Sequence, residues 1–209
     1  MTKVLLFDFD GTIADSFENF LDIVQELTVK YKLPSFSPDE IPSLRAQDAR
    51  SLIKRFNIPF YKIPFMARDM KRMQLEQLSK IKPFKGMKDA LQQLKDNGYT
   101  LGILTSNAEH NVKLFLKNNK IDVFTYVYSN SSVFGKDKAL RRFLRENDLK
   151  TDEVIYIGDE IRDIQACTTV GIPIISVTWG FNSKEGLSLY NPHLIANTPK
   201  ELISLVRNE

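Results

Sequence analysis

The sequence predicts an α/β fold in three layers: a mainly parallel sheet with helices on both faces, and an α-helical domain inserted near its start. Three observations carry this prediction. Short apolar runs recur along the chain with amphipathic stretches of helical period between them. The stretch after the first run is instead helical and punctuated by prolines, and acidic or polar clusters stand where the apolar runs stop. Strands that alternate with helices build parallel sheets, whose ligands gather beyond the carboxyl ends of the strands.

Residues 3–9 read as a buried strand that ends at Asp10-Gly11-Thr12, where a loop must begin. From there the period changes. Phe17, Phe20, Leu21, Val24, Leu27 and Tyr31 recur at helical spacing behind Asp15 or Ser16 as N-cap, and this helix should end before Pro34. Pro34, Pro38, Pro42, Pro59 and Pro64 break residues 33–65 into short pieces, so helices are expected at 48–56 and 65–81 and no strand within 33–65. After Pro83 and Gly86 a helix over 87–96 stops at Asn97-Gly98, and a strand at 100–105 follows. Further strands are expected at 123–128, 154–157, 173–177 and 193–195, with helices at 109–118, 138–147, 161–169 and 199–207. The chain thus divides into a core domain of residues 1–14 and 84–209 and a helical cap domain of residues 15–83. With no internal repeat or low-complexity segment, the insert reads as a cover over the site.

A chain of 209 residues accommodates one main core plus such an elaboration. Hydrophobic residues make up 43% and charged residues 26%, a balance that excludes disordered and collagen-like classes. The single cysteine, Cys167, rules out an intramolecular disulfide and reads as a small packed residue among Ile164, Val170 and Ile172. No apolar run reaches membrane-spanning length, and acids follow too soon after the start for a signal peptide. A cytoplasmic location and no membrane partner are therefore expected. The formal net charge of +3 hides a local excess: twelve lysines and arginines against three acids between Leu44 and Lys88. That stretch is either an electropositive lobe for anionic substrates or a set of solvated helix faces. No basic run is interleaved with stacking aromatics, so no nucleic-acid partner is expected. His110 and His193 are expected to be structural or exposed.

The most informative run is Asp8-Phe9-Asp10-Gly11-Thr12, where strand geometry would send Asp8 and Asp10 to one side and Phe7 and Phe9 to the other. Two carboxylates in a partly buried site repel unless a cation joins them, and oxygen ligands point to magnesium. Gly11 permits a sharp turn, and Thr12 offers a hydroxyl and an amide to a phosphoryl oxygen. The alternative is a plain acidic strand end before a turn. Thr105, Ser106 and Asn107 follow the second core strand, where a hydroxyl backed by helix amides suits a phosphoryl group or simply caps the helix. Phe134-Gly135-Lys136-Asp137-Lys138 follows the third core strand, and Lys136, with Lys138 as the alternative, would offset the charge of carboxylates and phosphate. Asp159 begins another acidic cluster at a strand end and can complete a metal site. Asp163, one helical turn on, can bind a metal-bound water or orient the lysine. Glu160 either touches the metal sphere or favours the helix N-terminus electrostatically.

These four motifs in this order resemble the haloacid dehalogenase superfamily over nearly the whole chain. The helical insert between the first two resembles its helical-cap subgroup, which contains phosphoglycolate phosphatases, beta-phosphoglucomutases and phosphonatases. The resemblance implies a Rossmann-like core and a magnesium-dependent hydrolase of a small phosphorylated metabolite, phosphoglycolate-like, that works through an aspartyl phosphate. It implies Asp8 as nucleophile and Asp10 as general acid, then base. It implies magnesium held by Asp8, the backbone carbonyl of Asp10 and Asp159, and phosphoryl oxygens held by Ser106 and Lys136 alongside Gly11, Thr12, Thr105 and Asn107. The presence of Asp10 disfavours haloacid dehalogenases proper and ion-pumping ATPases. Arg45 is either a contact for a substrate carboxylate or second phosphate, or a structural residue. Three alternatives stand beside this reading: a phosphomutase sharing every core motif, a phosphonatase using a cap lysine such as Lys54 or Lys62, and a non-catalytic phospho-binding or signalling module. Either a monomer or a homodimer is compatible.

Overall fold

The first apolar run forms β1 (Val4–Phe7), and all four of its residues are buried, which is why it shows no polar alternation. The computed structural model describes residues 3–129, 135–190 and 192–208. A two-residue strand β2 (Ala14–Asp15) follows, then helices α1 (Phe17–Tyr31), α2 (Ile41–Arg45), α3 (Ala49–Arg55) and α4 (Ile63–Gln77). The chain then returns through β3 (Lys82–Pro83), antiparallel to β2. The remainder alternates as α5 (Met87–Asp96), β4 (Thr100–Thr105), α6 (Glu109–Asn118), β5 (Phe124–Ser129) and α7 (Lys136–Glu146). It continues as β6 (Val154–Gly158), α8 (Ile161–Val170), β7 (Ile174–Val177), the short α9 (Lys184–Ser188), β8 (Leu194–Ala196) and α10 (Pro199–Arg207).

Six strands join in the order β5, β4, β1, β6, β7, β8, and every pair is parallel. β1 alternates its side chains between two cores. Leu5 and Phe7 pack with apolar residues of α5, α6 and α10, whereas Val4 and Leu6 pack with those of α7 and α8. The result is three layers. Leu91 and Leu94 of α5 are fully buried, and such side chains each contribute about 1.5–3 kcal/mol of hydrophobic stabilisation. From β1 the chain builds outward on one side through β4 and β5, then crosses back to build β6, β7 and β8 on the other, so the loops after β1, β4 and β6 open at a topological switch point. Register fixes which residues meet there: Phe7 lies opposite both Ile103 and Ile157, one residue before Asp8 and two before Thr105 and Asp159.

Several expected boundaries shift for local reasons. β1 stops at Phe7 instead of residue 9, because the chain turns on itself: the Phe9 carbonyl accepts from the amides of Ile13 and Ala14, each at 2.9 Å. The helix expected from 138 begins at Lys136, behind Gly135 in a left-handed conformation (φ +106°). The helix expected at 65–81 begins at Ile63, since Pro64 sits in its first turn, where a missing amide costs no hydrogen bond. The same holds for Pro42 in α2, in a stretch that reads as loop. β2, β3 and α9 are too short for periodicity to reveal.

In the helical segment, α1 and α4 pack through Ile23, Leu27 and Met73, and buried Asp69 accepts from Lys30 Nζ at 2.5 Å and Tyr31 Oη at 2.7 Å. These bonds hold the Asp69 carboxyl below the usual carboxylate range. A depressed acid stabilises the fold above its unfolded value, near 4, and loses that contribution as pH falls through the folded value. Asp69→Asn is therefore expected to lower Tm at pH 7 by a margin that closes below about pH 4. A margin independent of pH in a thermal melt would remove the ionic cause.

Nine of the twelve basic residues between Leu44 and Lys88 are exposed, six of them on α3, α4 and α5, so most of the local charge is solvated. Cys167 is fully buried in the core beside α7, and burial pushes its thiol well up. His110 and His193 are exposed. No helix among the described residues is long and apolar enough to cross a membrane.

Candidate active site

Asp8 stands one residue past the end of β1, and its carboxylate is fixed on both oxygens. Oδ1 accepts from the Phe9 amide at 2.8 Å and Oδ2 accepts from Lys136 Nζ at 2.7 Å. Lys136 also donates to Asp163 Oδ1, and all three side chains are buried. Burial alone would lower the lysine, but Asp163 and Asp8 outweigh it and hold the ammonium charged. Of the two loop lysines it is Lys136 that reaches Asp8, while Lys138, two residues on, is exposed. Phe134 of the same loop lies outside the described residues.

Asp159 completes the cluster. Ligand oxygens of Asp8, Asp159 and Asp163 all lie within 4.8 Å of one another. Burial pushes Asp159 well above the carboxylate range, with repulsion from Glu160 and Asp8 adding to it, and burial pushes Asp163 up to about 6 despite Lys136. One lysine does not neutralise three buried acids, and a set of oxygen donors this close fits a hard divalent cation. Thr12, expected to offer its hydroxyl to a phosphoryl oxygen, instead donates it to Asp159 Oδ1 at 2.7 Å.

Asp10 does not share this cluster's partners. Phe7 and Phe9 share one core as strand alternation expects, and the chain then turns at Phe9, which gives Asp10 its own partners. Asp10 Oδ2 accepts from Asn107 Nδ2 at 2.9 Å and Oδ1 from Ser16 Oγ at 3.1 Å. Ser16 occupies the N-cap position of α1 but makes no side-chain cap bond, since its hydroxyl is turned to Asp10. Asn107 is itself locked: its Oδ1 accepts from the Ala108 amide at 2.8 Å and Asn111 Nδ2 at 3.0 Å. Burial pushes Asp10 up to about 6, with the Asn107 bond opposing and Asp8 reinforcing the rise. Thr105 is buried and accepts the Asn107 amide at 3.0 Å, so it shapes the turn, while Ser106 is half-buried and lines the cavity that opens over Asp10. Glu160 pairs with Arg162, and its amide donates to Asp163 Oδ2 at 3.2 Å.

A fifth loop, after β7, was not singled out from sequence although it too follows an apolar strand. The Phe181 amide donates to Asp159 Oδ2 at 2.7 Å, and Asn182 Oδ1 accepts from the Ile161 amide at 2.8 Å. Its position at a strand's carboxyl end was the available signal. Arg45 is tied to this loop, donating from Nε to the Phe181 carbonyl at 3.0 Å and from Nη2 to the Gly180 carbonyl at 2.5 Å, with its guanidinium 4.7 Å from the Phe17 ring centre. Two glycines make room for Asp159. A Cβ on Gly11 (φ +77°) or on Gly180 would stand 2.2 Å from Asp159 Oδ2. Gly180→Ala is accordingly expected to displace Asp159 and lower kcat at least about tenfold with the fold retained; an unchanged kcat would show that the carboxylate tolerates the shift.

The matched family model, haloacid dehalogenase-like hydrolase, spans residues 5–177. A phosphoglycolate phosphatase of Synechococcus elongatus is 28% identical over 205 residues, covering 98% of this chain and 97% of that protein. Pyrophosphatase PpaX of Bacillus mycoides is 24% identical over 214 residues, covering 98% and 96%. The crystal structure of a predicted phosphatase from Clostridium acetobutylicum shares the fold at a TM-score of 0.85 with 23% identity over the whole of both chains. The chain belongs to the haloacid dehalogenase-like hydrolase family, and is an enzyme of its phosphatase group.

Proposed function

We propose that the protein is a magnesium-dependent phosphatase that hydrolyses a small phosphate monoester through a phosphorylated Asp8. The observation that carries this reading is the pairing of a buried, lysine-held carboxylate at position 8 with a second carboxylate, Asp10, held separately by Asn107 and Ser16. One acid is fixed in place by the Phe9 amide and the Lys136 ammonium, and the other has its proton affinity raised. That difference separates a nucleophile from an acid and base.

In the first displacement an oxygen of Asp8 bonds to phosphorus, the ester P–O bond breaks, and Asp10 gives its proton to the departing alcohol. In the second, Asp10 takes a proton from water as it attacks phosphorus, the acyl-phosphate P–O bond breaks, and inorganic phosphate leaves. Lys136 and Ser106 would hold phosphoryl oxygens. Asp8, Asp159 and the backbone carbonyl of Asp10 would hold magnesium, with Asp163 close by. Bound there, the ion would offset negative charge on the transferring group. We further propose that residues 15–83 act as a cap domain, a division supported by the β2–β3 ribbon, which sets Ala14 and Asp15 beside Pro83 and Lys82. The relatives named phosphoglycolate phosphatase support a small substrate. The phosphonatase alternative finds no support at Lys54, which is exposed, or at Lys62, which donates to the Tyr31 carbonyl.

EDTA is expected to abolish phosphate release from a generic aryl phosphate and magnesium to restore it, and magnesium is also expected to raise Tm by relieving repulsion among Asp8, Asp159 and Asp163. Hydrolysis indifferent to EDTA would overturn the metal requirement.

A further inference from the structure

A cavity of about 350 Å³ opens directly over Asp10, Ser106 and Asn107 and runs outward between α1, α3 and α4. Its volume falls within the roughly 300–1,000 Å³ common for small-molecule sites. Apart from the polar groups at its floor, its walls are apolar along most of their length: Val24 from α1, Leu52 and Ile53 from α3, Met66 and Met70 from α4. Phe17 and Phe20 stand at the neck, packed edge-on against Phe181 at ring separations of 5.6 and 4.9 Å. The cations on the wall are engaged: Arg45 with the Gly180 and Phe181 carbonyls, and Arg162 with Glu160. Lys71 has a partner as well.

A substrate whose leaving group carries a carboxylate would have to desolvate that charge against these walls, at considerable cost. An apolar leaving group would instead gain from burial there. We propose that the natural substrate is a phosphate monoester of an apolar alcohol, whose alkyl or aryl group fills the cavity between α1, α3 and α4 while its phosphate meets Asp8. This rests on the phosphatase reading and narrows it. It also explains a feature of the packing. α1 and α4 share a core of Ile23, Leu27 and Met73 with Tyr31, Met66 and Met70 packed against it, while Leu52 and Ile53 of α3 line the open space.

Binding and turnover separate the two readings. Titration of the magnesium-loaded protein with n-alkylphosphonates, which cannot be hydrolysed, is expected to show Kd falling about three- to fourfold per methylene over the first several carbons, then levelling where the cavity ends. The kcat/KM for n-alkyl phosphates is expected to rise over the same range and to exceed that for phosphoglycolate. Ala67→Phe, which extends a ring from α4 into the cavity, is expected to move the levelling point to shorter chains. A Kd indifferent to chain length, or a kcat/KM highest for phosphoglycolate, overturns the apolar-substrate proposal and leaves the phosphatase reading standing. Tightening phosphonate affinity without phosphate release from any monoester supports the cavity assignment and overturns the phosphatase reading.

Discussion

Asp8→Asn is expected to abolish turnover, by about 10⁴-fold or more in kcat, with circular dichroism unchanged. An amide oxygen is a feeble nucleophile toward phosphorus, and no neighbouring group can replace the carboxylate: Asp163 is bonded to Lys136, and Asp159 to Thr12 and the Phe181 amide. The fold should survive, since Lys136 keeps Asp163 as a partner and the cluster loses one of its crowded negative charges. Asp8→Glu provides the complementary result. It retains the charge but moves the oxygens by one methylene, and misplacement of about 1 Å costs on the order of 10²-fold. Near-normal rates in Asp8→Glu would mean that Asp8 acts by charge alone, and near-normal rates in Asp8→Asn would remove it from the chemistry altogether.

How much of this was legible in the sequence follows from the range of the forces involved. The sheet was legible because burial on two faces demands continuous apolar runs, as in Val4–Phe7, and because Pro and Gly punctuate what lies between. The convergence of Asp8, Lys136, Asp159 and Asp163 was legible for the same reason: parallel strands in one register place their carboxyl ends together. Contacts across long sequence separations were not. Nothing local to Thr12 says that its hydroxyl meets Asp159, 147 residues away, or that Arg45 reaches the carbonyls of Gly180 and Phe181. Strand alternation placed Phe7 and Phe9 together, and both do join one core, but it gave no hint of the turn that Phe9, Ile13 and Ala14 close or of the separate partners Asp10 finds in Asn107 and Ser16. The helical segment was the least legible, since α2 and α4 carry prolines in their first turns, which sequence patterns read as breaks.

Asp10→Asn is the substitution that tells acid catalysis from nucleophilic catalysis, and its effect should depend on the leaving group. With an alkyl phosphate the departing alkoxide needs a proton, so removing the acid is expected to cost roughly 10²- to 10⁴-fold in the first displacement. With an aryl phosphate the phenolate leaves unaided. The first displacement then proceeds, the second lacks its base, and phosphorylated Asp8 accumulates as a burst of phenol stoichiometric with enzyme. The pH dependence has a matching sign. Burial raises Asp10 to about 6, so in the wild type the proton needed for alkyl phosphates is lost as pH rises through that value, and the corresponding limb of the rate profile falls. That falling limb should be missing in Asp10→Asn. Asn107 and Ser16, which hold the carboxylate, can still bond the amide, so the variant should remain folded and bind substrate with little change. Equal losses for aryl and alkyl phosphates, with no burst, would assign Asp10 a purely structural role and leave the departing oxygen without a proton donor among the residues identified.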